Sequence, residues 1–141
     1  MSPGRTITES DLVSFSALTG DRHPAHTDAQ WAAGGPFGER VAHGMMVLSY
    51  AVGLLVFDPE RVLALRRIEN AVFKRPVRIG DTIKVDARLE RQDDERGLES
   101  YDLRIQNQRG KLVARARVEV VLRRERAAAL EPAADGDPVL L

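Results

Sequence analysis

The sequence predicts an α+β domain in which an antiparallel sheet wraps around one central buried helix. The first observation is that residues 43–57 are apolar nearly all round and too long for a strand, which favours a buried helix. The second is that the following segments alternate between apolar and charged side chains, as antiparallel strands with one buried face do. The third is that turn sequences containing glycine separate these segments.

A first helix is predicted over residues 9–18. Thr8 and Asp11 have the spacing of a capping box, in which two side chains satisfy the free N–H groups at a helix start. Apolar residues follow at helical spacing, namely Leu12, Phe15 and Leu18. Gly20 then provides a stop at the C-terminal end of the helix.

Residues 21–40 have no sustained hydrophobic period, so we expect a long loop there. The residues that interrupt any regular pattern are Pro24, Gly34, Gly35, Pro36 and Gly38. Long loops inside small domains tend to carry function.

Four segments are predicted to form the sheet. They are residues 68–77, 83–89, 101–105 and 112–122, with turns at Gly80-Asp81, residues 93–97 and Arg109-Gly110. A sheet that is covered on one face leaves edges and apolar surface that usually find a partner, so we expect a homodimer or a higher even oligomer. The domain is placed at residues 1–122, and residues 123–141, charged and then rich in Ala, Pro and Gly, are expected to form a surface tail.

Composition excludes several classes of function. The 21 basic and 21 acidic side chains cancel, which leaves no electrostatic footprint for nucleic acid or an anionic membrane surface. The absence of cysteine excludes disulfides, thiolate metal sites and a cysteine nucleophile. The first residues lack the apolar core of a signal peptide, and the longest apolar run is too short to span a bilayer, so the cytoplasm is the expected location.

The segment around Asp21 and His26 is the most informative for chemistry. Pro24 biases His23 away from helical backbone angles, so Asp21 and His26 are not expected to form a regular helical pair. A tight turn can instead aim both side chains into one cleft. A carboxylate and an imidazole there can hold a water between them, one accepting a proton while the other donates.

His43-Gly44 opens the predicted central helix and is the second chemical element. A helix start presents unpaired N–H groups and the positive end of the helix dipole. Because Gly44 has no side chain, we expect a substrate carbonyl to approach its amide closely. Such a donor can stabilise an enolate-like oxygen by about 3–4 kcal/mol.

Three blocks of the chain resemble the MaoC-like, (R)-specific enoyl-CoA hydratase family. The family pattern T-G-D-x-N-P-x-H-x-D, then a Phe, then a helix start at H-G, is similar to TGDRHPAHTD, Phe37 and VAHGMM. The later FKRPVRIGDTI matches a third family block, so the resemblance covers about residues 8–122. The chain departs from the pattern at His23, where the family has Asn, and at Ala25, which replaces a larger aliphatic residue.

This resemblance implies a hot-dog fold and a reversible hydration of a trans-2-enoyl thioester to the (R)-3-hydroxyacyl thioester. It implies that Asp21 and His26 are the catalytic pair and that the Gly44 amide binds the thioester carbonyl. The other expected substrate-binding residues are His23, Phe37 and His43. No metal and no separate cofactor are implied, since CoA or the phosphopantetheine of an acyl carrier protein is part of the substrate.

Other interpretations of the same residues stay open. The chain could be a non-catalytic hot-dog subunit that binds acyl chains or completes a heterodimer, although intact Asp21 and His26 argue against this. A hot-dog thioesterase would carry its acid on the central helix, which has none between Gly44 and Phe57. A metal site built from Asp21, His23 and His26 is disfavoured because the loop has no known metal spacing.

The remaining polar and sulfur-containing residues are expected to have structural roles. His43 is expected to orient the loop or cap the helix, and Asp28 to form local hydrogen bonds in the loop. Met45 and Met46 are expected in the core. Four arginines are expected mostly on the solvated sheet face, with one or two of them meeting carrier phosphates, namely Arg66, Arg67, Arg75 and Arg78.

Overall fold

The computed structural model describes residues 1–124, which form four helices and five strands. In chain order the elements are β1 (Arg5–Thr6), α1 (Glu9–Thr19), α2 (Pro24–Thr27), α3 (Ala29–Ala33), α4 (Gly44–Leu54), β2 (Val62–Phe73), β3 (Thr82–Asp93), β4 (Leu98–Gln106) and β5 (Leu112–Leu122). Most of the tail expected at residues 123–141 lies outside the described residues. No helix within residues 1–124 has the length and hydrophobicity that a bilayer crossing requires.

The sheet has the strand order β1-β3-β4-β5-β2, and every neighbouring pair is antiparallel. Alternate residues of β3, β4 and β5 form one buried face, where Ile105 lies opposite Val85 on one side and Ala114 on the other. These side chains pack with Met46 and Ala51 of α4 in a single core cluster. The predicted α+β architecture, a sheet around a central helix, is therefore confirmed.

α1 begins and ends where its local signals predict. Thr8 and Asp11 form the expected capping box, because the Thr8 hydroxyl accepts from the Asp11 N–H and the Asp11 carboxylate accepts from the Thr8 N–H. Gly20 ends the helix with φ = 80°, a left-handed angle that glycine adopts without a steric cost.

The central helix α4 is shorter and less enclosed than predicted. It ends at Leu54, since Leu55 has the extended backbone angles φ = −83° and ψ = 104° and its N–H donates to the Val52 carbonyl. One face carries the buried residues Met46, Val47, Leu48 and Ala51. Met45 points away from that face and is 56% exposed, so its expected place in the core is wrong.

The predicted loop over residues 21–40 is also wrong in part, because it contains α2 and α3. Pro24 occupies the first position of α2, where its missing N–H has no cost. Asp28 caps α3 by accepting from the Trp31 N–H at 3.0 Å, which confirms the local role expected for it. Both helices are too short to show a hydrophobic period in the sequence.

β2 runs from Val62 to Phe73, earlier than the predicted 68–77. Pro76 cannot donate to a strand ladder and so favours an end before it. Arg66 is half-buried rather than solvated; its side chain is 6% exposed and pairs with Glu119 of β5 at 2.5 Å. Arg75, by contrast, is exposed as predicted, two residues after the end of β2.

Candidate active site

The candidate site lies where the end of α1, the short helix α2 and the start of α4 meet. Gly20 turns the chain out of α1, and the Asp21 N–H then donates to the Thr19 hydroxyl at 3.2 Å. His23 has the extended backbone angles φ = −54° and ψ = 134° that the following Pro24 favours, as predicted. This bend places Asp21 and His26 on the same side of the turn.

His26 is half-buried and is anchored through one ring nitrogen. Its Nδ1 lies 2.7 Å from the carbonyl oxygen of Val41, the residue that links the loop to α4. Because a carbonyl only accepts hydrogen bonds, Nδ1 carries the proton of this bond. Nε2 is therefore the atom of His26 that can take up or release a proton.

Asp21, His26 and His43 come together in one cluster. One carboxylate oxygen of Asp21 and one ring nitrogen from each histidine lie within 4.8 Å of one another. A water that bonds to two such groups at about 2.8 Å each spans a gap of this size. Asp21 is exposed, His26 half-buried and His43 buried, so the cluster is open to solvent on the Asp21 side.

His43 lies beneath the other two residues and is 1% exposed. Its Nε2 is 3.0 Å from the backbone oxygen of Asp21 and 3.0 Å from the Ser16 hydroxyl. Its ring stacks on that of His26, with centroids 3.8 Å apart and planes at 23°. Burial lowers the pKa of His43, which favours the neutral ring. Its side chain makes no capping hydrogen bond to α4, so of the two expected roles only the orientation of the loop fits.

Gly44 begins α4, and no residue within 1–124 accepts a hydrogen bond from its N–H. A Cβ at this position would lie 3.1 Å from three ring carbons of Phe73. The glycine therefore gives the Phe73 ring room to lie close to the helix start, a role for Phe73 that was not predicted although this residue opens the third family block. The ring lies on the side where a Cβ would be.

Two further residues that were predicted to bind substrate, His23 and Phe37, do not belong to the cluster. His23 lies beside the cluster, with its Nδ1 accepting from the Ala25 N–H at 3.1 Å and its ring edge-on to Trp31 at 5.4 Å between centroids. Phe37 is 43% exposed and lies outside the cluster. Its described contact is through its carbonyl, which accepts from Arg78 at 3.3 Å.

The three clustered side chains are also of types that bind metals, so their geometry matters. The lone pair of an imidazole nitrogen lies in the plane of its ring, and the stacked rings of His26 and His43 cannot both direct lone pairs at one ion. The His43 Nε2 must also carry a proton to bond the Asp21 carbonyl. The arrangement suits a bound water better than a metal ion.

Comparison with known proteins gives consistent matches. Residues 1–109 match the family model described as MaoC like domain. Protein MaoC of Klebsiella aerogenes is 48% identical over 86 residues, which are 60% of this chain and 26% of that protein. The (R)-specific enoyl-CoA hydratase of Rhodospirillum rubrum is 37% identical over 79 residues, 56% of this chain and 55% of that protein.

Among solved structures, the R-hydratase PhaJ1 from Pseudomonas aeruginosa, in its unliganded form, superposes with a TM-score of 0.75 at 31% identity. That match covers 95% of this chain and 88% of the other. The chain spans about a quarter of the length of one curated relative and about half of the other.

Proposed function

Because this chain belongs to the MaoC-like domain family and has the hot-dog fold of its solved relatives, we propose that it reversibly hydrates a trans-2-enoyl thioester to the (R)-3-hydroxyacyl thioester. The observation that supports this most is the cluster in which the Asp21 carboxylate and a His26 nitrogen lie within 4.8 Å. Relatives named as hydratases and dehydratases support the same reaction.

Asp21 and His26 share the work of adding water. Asp21 accepts a proton from the water, whose oxygen forms the new bond at C3 of the enoyl group. The charged form of His26 delivers its Nε2 proton to C2, since Nδ1 is held by the Val41 carbonyl. A proton then passes from Asp21 to His26 and restores the pair.

The Gly44 amide polarises the thioester carbonyl as negative charge develops on its oxygen. It lies at the start of an 11-residue helix, whose dipole favours that charge. An oriented donor of this kind contributes about 3–4 kcal/mol to the stability of the transition state.

The proposed substrate is carried on CoA or on an acyl carrier protein, and proton transfer between two side chains and a water requires no further cofactor. The same steps in reverse dehydrate a 3-hydroxyacyl thioester. A non-catalytic acyl-binding subunit would have no use for the paired Asp21 and His26, so we do not favour that alternative.

The test is a panel of enoyl-CoA esters of increasing chain length and branching, in which hydration is followed by loss of the conjugated enoyl absorbance. We expect turnover with at least one member of the panel, and the preferred member identifies the substrate class. The same acyl groups on a carrier protein distinguish the two carriers. Absence of hydration on both carriers would contradict the proposal.

A further inference from the structure

We propose that His43 is a positioning residue that holds both members of the Asp21–His26 pair in place, stacking on the ring of one and hydrogen-bonding the backbone of the other. This inference rests on the proposed function and adds a third side chain to its machinery. His43 would act through its neighbours and would not itself transfer a proton to substrate.

The contact with His26 restrains a motion that the Val41 hydrogen bond leaves free. Because one hydrogen bond at Nδ1 holds the His26 ring, the ring can still tilt and move Nε2 away from the proposed position of the water. The His43 ring, with its centroid 3.8 Å away and its plane inclined by 23°, covers one face of His26. Together, the in-plane hydrogen bond and the contact across the face fix where Nε2 points.

The contact between His43 and Asp21 restrains the Asp21 backbone. This restraint matters because few hydrogen bonds from the described residues hold the Asp21 carboxylate itself. The described hydrogen bond to that carboxylate is a long one, from the His23 N–H at 3.4 Å. Asp21 is instead held by its N–H, which donates to Thr19 at 3.2 Å, and by its carbonyl, which accepts from His43 Nε2 at 3.0 Å. Loss of His43 would remove one of these two backbone anchors.

The buried environment of His43 supports the positioning role, although it leaves one ring nitrogen without a hydrogen bond within residues 1–124, which lowers the stability of the fold. Nε2 donates its proton, so Nδ1 of the neutral ring is a bare acceptor, and it is buried without a hydrogen-bond partner among the described residues. Phe15 packs on the same ring at 4.9 Å between centroids. An unpaired buried nitrogen is a recognised cost of folding, and here it accompanies a ring that both stacks and donates.

The electrostatic state of His43 also suits a pair that handles protons. Burial is the largest cause of the lowered pKa of His43. The hydrogen bond to the Asp21 backbone opposes this shift, and the neighbouring His26 adds to it. A neutral His43 lets His26 carry positive charge during the reaction without a like charge against its face. A lysine or arginine at position 43 could donate to Asp21 but would oppose that charge.

Two substitutions separate the two contacts. His43→Phe keeps a ring to stack on His26 and loses the donor to Asp21. His43→Gln keeps a donor near the position of Nε2 and loses the stack. We expect each variant to lower kcat by about ten- to hundredfold, since small misplacements of reacting groups have effects of this size. KM should stay within about twofold of the wild-type value, because His43 is buried beneath the pair.

The pH profile and a matched control distinguish positioning from other roles. Both limbs of the kcat profile should persist in both variants, because His43 transfers no proton. Tyr50→Phe, on the same helix, removes the hydrogen bond of Tyr50 to Asp11 and should leave kcat unchanged. Unchanged kcat in His43→Phe and His43→Gln would overturn the inference, and so would a lost limb or an effect on KM alone.

NMR tests the contacts independently of activity, since the chain has only three histidines to assign. The wild-type protein should show NOEs between the ring protons of His26 and His43 and a proton on Nε2 of His43. Ring-current shifts of the His26 protons should remain in His43→Phe and be lost in His43→Gln. Absence of these signals overturns the positioning inference even if the enzyme is active, whereas their presence in a protein that hydrates no enoyl thioester means that the proposed function has failed.

Discussion

At the residue scale, Asp21 and His26 are each anchored through backbone groups rather than through a shared side-chain bond. The Asp21 N–H and carbonyl are held by Thr19 and His43, and His26 is held by the Val41 carbonyl. Their acid–base atoms are thus left to act on a water. Substitution of either side chain should therefore affect chemistry more than folding.

Asp21→Asn and His26→Gln should each lower turnover at least about hundredfold, the usual contribution of a general acid or base. Asp28→Asn is the matched control, because an amide oxygen can still accept from the Trp31 N–H. Steady-state hydration of the best enoyl thioester measures the effect, and circular dichroism checks folding. Near-normal turnover in either variant would show that the assignment of the pair is wrong.

His43 should also make stability depend on pH. Burial lowers its pKa below the usual value of 6.5, so the unfolded chain binds more protons at this residue than the folded chain in mild acid. The stabilising contribution of neutral His43 is complete above about pH 6.5 and is lost as the pH falls below that value. The free energy of unfolding should then fall from pH 7 to pH 5 more steeply in the wild type than in His43→Gln. Chemical denaturation at both pH values measures this, and equal slopes would refute the argument.

The spacing of the site residues could be predicted, but their mutual contacts could not. Asp21, His26 and His43 were singled out because residue type and order suffice to suggest a carboxylate, an imidazole and a helix start. The stack of His26 on His43 and the Val41 anchor depend on how α2 meets the segment before α4. Every residue has a backbone carbonyl, so the residue types do not show which carbonyl will accept the hydrogen bond from His26.

At the element scale, helix and strand bounds were predicted best where the residues that set them lie within the element itself. α1 carries its capping box and its terminal glycine within its own sequence, and its predicted end differs from Thr19 by a single residue. β2 begins at Val62, six residues before the predicted start at residue 68, so Arg66 and Arg67 lie inside the strand. Arg66 pairs there with Glu119 on β5, which lies far along the chain and so cannot be inferred from local sequence.

The start of α4 gives a prediction about Gly44. A Cβ would lie 3.1 Å from the Phe73 ring, so either the ring or the first turn that carries the carbonyl donor has to shift by a few tenths of an ångström. Gly44→Ala should therefore lower kcat/KM about tenfold or more, because donor alignment is worth several kcal/mol, with a smaller change in thermal stability.

A second substitution identifies the cause. Phe73→Leu removes the crowded ring carbons and should recover part of the activity in Gly44→Ala, compared with Phe73→Leu alone as the control. If the double variant is no more active than Gly44→Ala, the methyl group obstructs the substrate itself and the packing argument is wrong.

At the scale of the whole molecule, β2 forms an edge of the sheet. Within residues 1–124 it pairs with β5 alone, and its exposed side chains are largely apolar. Those between 41% and 48% exposed are Leu63, Leu65, Ile68, Val72 and Phe73. Such an edge favours pairing with another strand, so the predicted homodimer finds a candidate surface on the strand that also carries Phe73.

We expect a dimer or a higher even oligomer in solution at micromolar concentration. Leu65→Lys should weaken the association, since a charge on an edge strand opposes strand pairing. Leu89→Lys is the matched control, because Leu89 is 51% exposed on β3, away from this edge. Light scattering measures both, and a monodisperse wild-type monomer would contradict the prediction.

The central claim is that one water, held between Asp21 and His26, adds to the enoyl group from one side. Hydration of the preferred enoyl thioester in deuterium oxide, followed by chiral analysis at C2 and C3, tests it most directly. Because both groups lie on one turn and approach the same face, the hydroxyl and the deuteron should add syn. The family resemblance adds the expectation of an (R)-3-hydroxyacyl product. A syn (S) product would contradict the family-based stereochemistry alone, whereas anti addition would require a donor on the opposite face and contradict the shared-water mechanism.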